Sequence, residues 1–336
     1  MIIAVERATD TAEARRQAAE LARQLGFDAE RTGRVSIVAT ELATNMLKHA
    51  GKGELLVQHY DAGRDLAGVE MIAIDRGPGI ADLARARADG FSTAGSRGTG
   101  LGAIQRIADL VSVFTRPGQG TVALARVARP DLPAAASAAA ASFESGSVVA
   151  VCPGEAVAGD ACAVLPIRDG LWRLMVVDGS GHGAAAAAAA VAAHTLFEAH
   201  PALGLADLLV LMHRGLGHTR GAAVAIAEID REARLVHFAG LGNIAGTLSA
   251  PEKRHGMVST NGTLGHTWRT VKQFDYPFDG GGATVVMHSD GIGTRWRLDG
   301  YPGLDACHPS VIAAVLYRDF RRTRDDASTL VAKVRP

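Results

Sequence analysis

Val176-Val-Asp-Gly-Ser-Gly-His-Gly183 ends a largely apolar run, Leu171–Val177, with an aspartate, an Asp-Gly turn and a histidine. Three more acidic positions share this setting: Asp160 after Gly159, Asp290 in Met287-His-Ser-Asp-Gly291, and Asp325-Asp326 ahead of a final apolar segment. A single Asp-Gly is most often a turn. Four such positions in a β-rich context suggest more, because carboxylates gathered at close range in a low dielectric repel by several kcal/mol. Hard divalent cations remove that cost, and two of them ~3.5–4 Å apart can hold a hydroxide and a phosphate oxygen. Glycine after Asp178 and Asp290 leaves the backbone open to close approach, and the Gly179 carbonyl is itself a candidate ligand. The stretch predicts a dinuclear metal site in the second half of the chain.

Outward from this point, Ser147–Val151, Ala161–Ile167, Leu171–Val177, Ala222–Ile229, Leu235–Ala239, Ile244–Leu248, Thr284–His288 and Ser328–Val334 read as strands. Helices are expected over Gly183–Ala199, Leu205–Leu216 and Pro309–Phe320, so two sheets sandwiched by helices are predicted. Upstream, Arg129 to Ser142 carries two prolines and an Ala/Ser run with little to bury, and it reads as a linker over 129–143. Domains are therefore expected at 1–128 and 144–336. With 48% apolar and 21% charged residues, each can bury a core. Thirty-five basic residues cancel thirty-five acidic ones, which argues against non-specific nucleic-acid binding or a polybasic membrane anchor. No bilayer-spanning segment or signal peptide is visible, and three scattered cysteines form no disulfide framework. A cytoplasmic protein is expected.

The first half is read as a strand at Ile2–Val5, a helix capped by Asp10, a second helix from about Asp28 to Ala50, and strands packed with helices on one face of a mixed sheet. Glu41, Asn45 and His49 are four residues apart on that second helix and share a face. A carboxamide and a carboxylate one turn apart suit a metal-bound triphosphate, the amide oxygen reaching Mg²⁺ and the carboxylate accepting a proton. Asp75, in Asp75-Arg-Gly-Pro-Gly-Ile80, sits at a strand end where it can accept a hydrogen bond from an adenine amino group. Gly95-Ser-Arg-Gly-Thr-Gly-Leu-Gly102 opens a helix with unhindered amides suited to phosphate. No strand immediately precedes Gly98, so a Rossmann reading fails.

In this order the three pieces resemble the N, G1 and G2 boxes of Bergerat-fold (GHKL) ATPases. Within that family they most resemble serine/threonine kinases of the RsbW and RsbT group, and Glu41-Leu-Ala-Thr-Asn-Met-Leu-Lys-His-Ala-Gly-Lys-Gly-Glu54 looks more like RsbT than RsbW. The resemblance implies an N-terminal α/β sandwich binding ATP and Mg²⁺. Asn45 would hold the ion and Glu41 would assist the acceptor hydroxyl. Asp75, Gly77, Gly79, Gly98, Thr99, Gly100, Leu101 and Gly102 would surround the nucleotide. The second half resembles metal-dependent PPM-type phosphatases of the SpoIIE and RsbX branch. The matching pieces are Ala158-Gly-Asp160, Val177–Gly183, Phe238-Ala-Gly-Leu-Gly-Asn243, Gly262-Thr-Leu-Gly265, Ser289-Asp-Gly291 and Asp325-Asp-Ala-Ser328. This implies an α-β-β-α sandwich with two Mn²⁺ or Mg²⁺ held by Asp160, Asp178, Gly179, Asp290 and Asp325. Asp178 and Asp290 would be central to catalysis, and Asp326 competes with Asp325 for the last place. No arginine stands just before Ala158-Gly-Asp160 to grip phosphate, as it does in larger relatives. His182 reads as an outer support of the site or a helix cap.

The resemblances together imply opposed activities in one α/β chain. A kinase half would phosphorylate a Ser or Thr of a STAS-domain partner, and a phosphatase half would reverse it, within stress or sigma-factor regulation. A second reading makes the first domain a non-catalytic ATP sensor or STAS-binding module gating the phosphatase. A third makes the chain a generic ATPase on a scaffold.

Overall fold

The computed structural model describes residues 1–61, 67–87, 100–129, 142–250, 253–268 and 270–335. Contacts divide the chain into two units, Met1–Ala136 with Leu298–Arg318, and Ser137–Arg297 with Asp319–Pro336.

In the first unit, strands β1 (Ile2–Val5), β2 (Gly53–Asp61), β3 (Ala67–Asp75), β4 (Leu110–Arg116) and β5 (Gly120–Ala128) form one sheet in the order β1-β2-β3-β5-β4. Every neighbouring pair is antiparallel, which corrects the expected mixed sheet. The chain turns straight back from β4 to β5, and a parallel neighbour would need a longer crossover. Helix α1 (Ala8–Gln24) starts two residues before Asp10, so Asp10 is not its N-cap. Its carboxylate instead reaches back to accept the Arg7 and Glu6 amides at 2.8 and 3.0 Å, and these bonds hold its pKa down. Helix α2 (Ala29–Ala50) is capped by Asp28, which accepts the Arg31 amide at 2.7 Å, and ends at Gly51 with φ +79°. Val35, Val38, Leu42 and Met46 of α2 pack with Leu55, Val57, Val69, Met71, Ala125 and Val127 of the sheet. Two short helices, α3 (Leu83–Arg87) and α4 (Gly100–Ile107), follow β3.

The opposite face of this sheet is buried as well. Leu56, Ile72 and Leu124 are at most 1% exposed, although alternation turns them away from the helices. This is why β3 reads as an apolar run interrupted by one acid, Glu70, and closed by another, Asp75. The segment Leu298–Arg318 meets that face. The Ser310 hydroxyl donates to Glu70 at 2.9 Å, Arg126 donates to Glu70 at 2.6 Å, and Tyr317 donates to Glu54 at 2.9 Å. The buried Glu70 carboxylate is tolerated here because it has donors.

The second unit stacks two five-stranded sheets. One is ordered β13-β10-β9-β8-β7, from β7 (Asp160–Arg168), β8 (Leu171–Gly179), β9 (Ala222–Asp230), β10 (Leu235–Leu241) and β13 (Gln273–Pro277). The other is ordered β12-β11-β14-β15-β6, from β6 (Phe143–Ala150), β11 (Ala245–Ser249), β12 (Arg254–Met257), β14 (Ala283–His288) and β15 (Ala327–Val334). Leu174, Val176, Phe238, Val285 and Leu330 fill the space between the sheets. Helices α5 (Ala184–Ala199) and α6 (Leu205–Gly215) cover the outer face of the first, with Phe197, Leu208 and Met212 against Val177, Val224 and Ile226. Strands β12 and β13 are sheet edges without a strong apolar alternation, which hid them in the sequence. Helix α7 (Pro309–Phe320) carries the chain from the first unit into β15. Among the described residues no helix is long and apolar enough to cross a membrane.

Candidate active sites

Strands β7 and β8 lie antiparallel in a register that sets Asp160 directly opposite Asp178. Asp160 is 5% exposed, and its Oδ2 is buried without a partner. Burial raises its pKa to about 7, opposed by the Ser289 and Ser328 hydroxyls and reinforced by the charges of Asp326 and Asp325. The Asp178 pKa rises to about 8, first through burial and then through the charges of Asp160, Asp290 and Asp325. Asp325 is shifted upward by burial and by Asp290. Asp178, Asp290 and Asp325 line one cavity of about 680 Å³, and Asn243 donates to Asp290 at 2.8 Å. Charges on Asp160, Asp290 and Asp325, far apart in sequence, thus bear on Asp178.

The carboxylates repel each other and one buried oxygen has no donor, which is the donor set a hard cation satisfies. Among the described residues no three acidic, His or Cys side chains close on a single point, so the donors line a cavity rather than a finished cage. Glycine is required at three positions around it. A Cβ at Gly179 would sit 2.3 Å from the Ala186 carbonyl oxygen, one at Gly159 2.7 Å from the Ala186 Cβ, and one at Gly291 1.9 Å from the Asp326 carbonyl oxygen.

The aspartate doublet separates into two environments. Asp326 is 3% exposed and accepts the Cys152 amide at 2.8 Å and the Gly159 amide at 2.9 Å, pinning the turn that leads into Asp160. Asp325 lines the cavity. Asp326→Ala should therefore lower stability by about 2–4 kcal/mol, since two buried amides lose their acceptor. Asp325→Ala should cost less stability but weaken metal affinity, and urea unfolding beside Mn²⁺ titration would check both.

His182 does not cap α5; the N-cap is Gly183, at φ +73°. Its Nδ1 instead meets Glu155 Oε1 at 2.5 Å, and the side chain lines the cavity. Glu155 gave no signal in the sequence, being one acid in the turn after Pro153-Gly154. Asn243 stood inside a quoted motif without a role. His213 accepts the Gly265 amide and stacks on Trp268, while Trp296 is buried and donates to His288, so these are structural contacts.

In the first unit Glu41 and Asn45 lie half-buried on successive turns of α2. Gly100 opens α4 against Asn45: an added Cβ would lie 2.7 Å from Asn45 Oδ1. Leu101 packs at the edge of the core and Gly102 is buried. Gly98 and Thr99 lie outside the described residues. Asp75 ends β3, and its Oδ1 accepts the Gly77 and Thr121 amides at 2.8 and 3.1 Å. Burial raises its pKa. A Cβ at Gly77 would strike Ala50, and one at Gly79, where φ is +71°, would strike the Arg116 carbonyl oxygen. The turn therefore holds Asp75 close beside the end of α2.

Residues 4–126 match the histidine kinase-like ATPase domain, and residues 168–335, half of the chain, match Stage II sporulation protein E (SpoIIE). The chain belongs to the SpoIIE phosphatase family and carries a histidine kinase-like ATPase domain ahead of it. Its first third is similar to the serine/threonine-protein kinase RsbT of Bacillus subtilis (strain 168), 38% identical over 112 residues, covering 33% of this chain and 84% of RsbT. A structure described under "The bacterial stressosome: a modular system that has been adapted to control secondary messenger signaling" is 30% identical with a TM-score of 0.53, covering 56% of this chain and 98% of its own. RsbX in complex with magnesium, 18% identical with a TM-score of 0.51, covers 57% of this chain and 96% of its own and shares the fold. The resemblances drawn from the motifs, to RsbT-type kinases and to SpoIIE/RsbX phosphatases, are borne out.

Proposed function

We propose that this chain is a bifunctional regulator that phosphorylates a Ser or Thr of a STAS-domain protein with ATP and removes phosphate from phosphoserine or phosphothreonine. The observation that carries the reading is the meeting of Asp178, Asp290 and Asp325 in one cavity, with Asp160 paired across the ladder. Similarity to RsbT supports the kinase half, and the SpoIIE match supports the phosphatase half. We place the protein in the cytoplasm, in partner-switching control of stress or sigma-factor responses.

In the phosphatase half, Asp160, Asp178, the Gly179 carbonyl, Asp290 and Asp325 would hold two divalent cations, Mn²⁺ or Mg²⁺. Those ions would supply charge neutralisation and an acidified water. Asn243 fixes one oxygen of Asp290 and leaves the other for the cavity. Asp326, tied to two backbone amides, sets the position of Asp160 without entering the chemistry. In the kinase half, Asp75 spends one oxygen on backbone amides and keeps the other for the adenine amino group. Asn45 would hold Mg²⁺, Glu41 would accept the proton of the substrate hydroxyl, and the amides of Gly98, Thr99, Gly100, Leu101 and Gly102 would cradle the phosphates.

The test is transfer of label from ATP to a STAS-domain protein by the Asp178→Asn variant, in which removal is blocked. Labelled partner is expected, with loss of ~10²–10³-fold in rate when Glu41→Gln is added. ATP binding without transfer would instead support the sensor reading of the first domain.

A further inference from the structure

On the phosphatase reading, the cavity must take a dianionic phosphoryl group into a wall of carboxylates. Arg324 is the one lysine or arginine among the described residues that line it. It stands immediately before Asp325, between the end of α7 and β15, and its side chain is exposed. Among the described residues it has no hydrogen bond or ion pair, although Asp178, Asp290 and Asp325 line the same cavity. Three other arginines of this unit have partners. Arg321 donates to the Val151 carbonyl, Arg254 to the Trp296 carbonyl, and Arg173 to Glu228. Two other polar side chains of the cavity are engaged, Asn243 with Asp290 and His182 with Glu155.

We propose that Arg324 binds the substrate's phosphoryl group, its guanidinium donating to the non-bridging oxygens of phosphoserine or phosphothreonine and, after hydrolysis, to inorganic phosphate. A planar guanidinium offers paired donors that match two phosphate oxygens, whereas an ammonium is a point charge. Its place beside Asp325 puts the phosphate-binding group in sequence with a proposed metal ligand, so one loop serves both.

The experiment compares full-length wild type, Arg324→Ala and Arg324→Lys, each loaded with Mn²⁺. Arg324→Ala should raise KM for a phosphoserine peptide ~10–100-fold, as expected for a lost charge-assisted pair, with a smaller change in kcat. The dissociation constant for inorganic phosphate, measured by calorimetry on the same samples, should rise in parallel, with Arg324→Lys intermediate. Mn²⁺ affinity and melting temperature should stay at wild-type values. Unchanged phosphate affinity in Arg324→Ala overturns the assignment, as does an equal loss of Mn²⁺ affinity or melting temperature in both variants. The phosphate titration decides the role of Arg324 even if the wild type turns over no phosphopeptide, a result that would count against the phosphatase reading alone.

Discussion

Asp290→Asn is expected to lower Mn²⁺-dependent hydrolysis of p-nitrophenyl phosphate by ~10²–10³-fold, the scale seen when one charge-stabilising group is removed from an active site. Asp290 lines the cavity, is held by the Asn243 amide and bears on the pKa of Asp178. An amide of the same shape removes the negative charge and preserves the packing, so the fold should survive and circular dichroism should be unchanged. The companion Asp178→Asn should lose activity to a similar degree, because β8 delivers that carboxylate between Asp160 and the cavity. Wild-type turnover in either variant would remove the carboxylate set from the mechanism. It would revive the reading of the second half as a scaffold.

Chelated protein should lose thermal stability as pH rises from about 5.5 to 8.5, and added Mn²⁺ should restore it most at the alkaline end. The sign follows from the pKa values of about 7 for Asp160 and about 8 for Asp178. Both lie above the ~3.9 of an unfolded aspartate, so between these limits the folded chain holds more protons than the unfolded one. Stability therefore falls as pH climbs through the folded values and levels off beyond them. The charges are coupled, and the expected drop in melting temperature is ~5–10 °C for a unit of this size. Cations favour the deprotonated carboxylates and should flatten the slope. Scanning calorimetry at several pH values, with and without Mn²⁺, reads both effects. A melting temperature that climbs with pH in chelator would contradict the burial of these acids.

Much of this architecture could be read from residues alone. Apolar runs placed nearly every strand of the second unit, because its central strands, such as Leu171–Gly179, are buried through most of their length. Asp178 and Asp290 stood out because four acidic positions in a β-rich context, and not any single Asp-Gly turn, call for a counter-charge. The respective duties of Asp325 and Asp326 were not legible, since two adjacent acids alternate in direction and only the turn at Cys152–Gly159 reveals which one faces inward. Glu155 was invisible for the same reason: its partnership with His182 depends on a loop crossing that leaves no periodic trace. Asp10 misled because an acid near a helix start serves equally as cap or as third residue, and the backbone alone decides. The antiparallel order of the first sheet was equally hidden, as strand direction is set by connections and not by side-chain pattern.

The first unit borrows its last piece, Leu298–Arg318, from far down the chain. During synthesis the ribosome must travel from Ala136 to Leu298 before that piece exists, roughly 10–30 s at ordinary elongation speed. Throughout that interval Glu54 and Glu70 lack the hydroxyl donors of Tyr317 and Ser310, and the apolar stripe of Leu56, Ile72 and Leu124 awaits its covering. A gene cut after the Pro/Ala/Ser stretch would make that waiting state permanent.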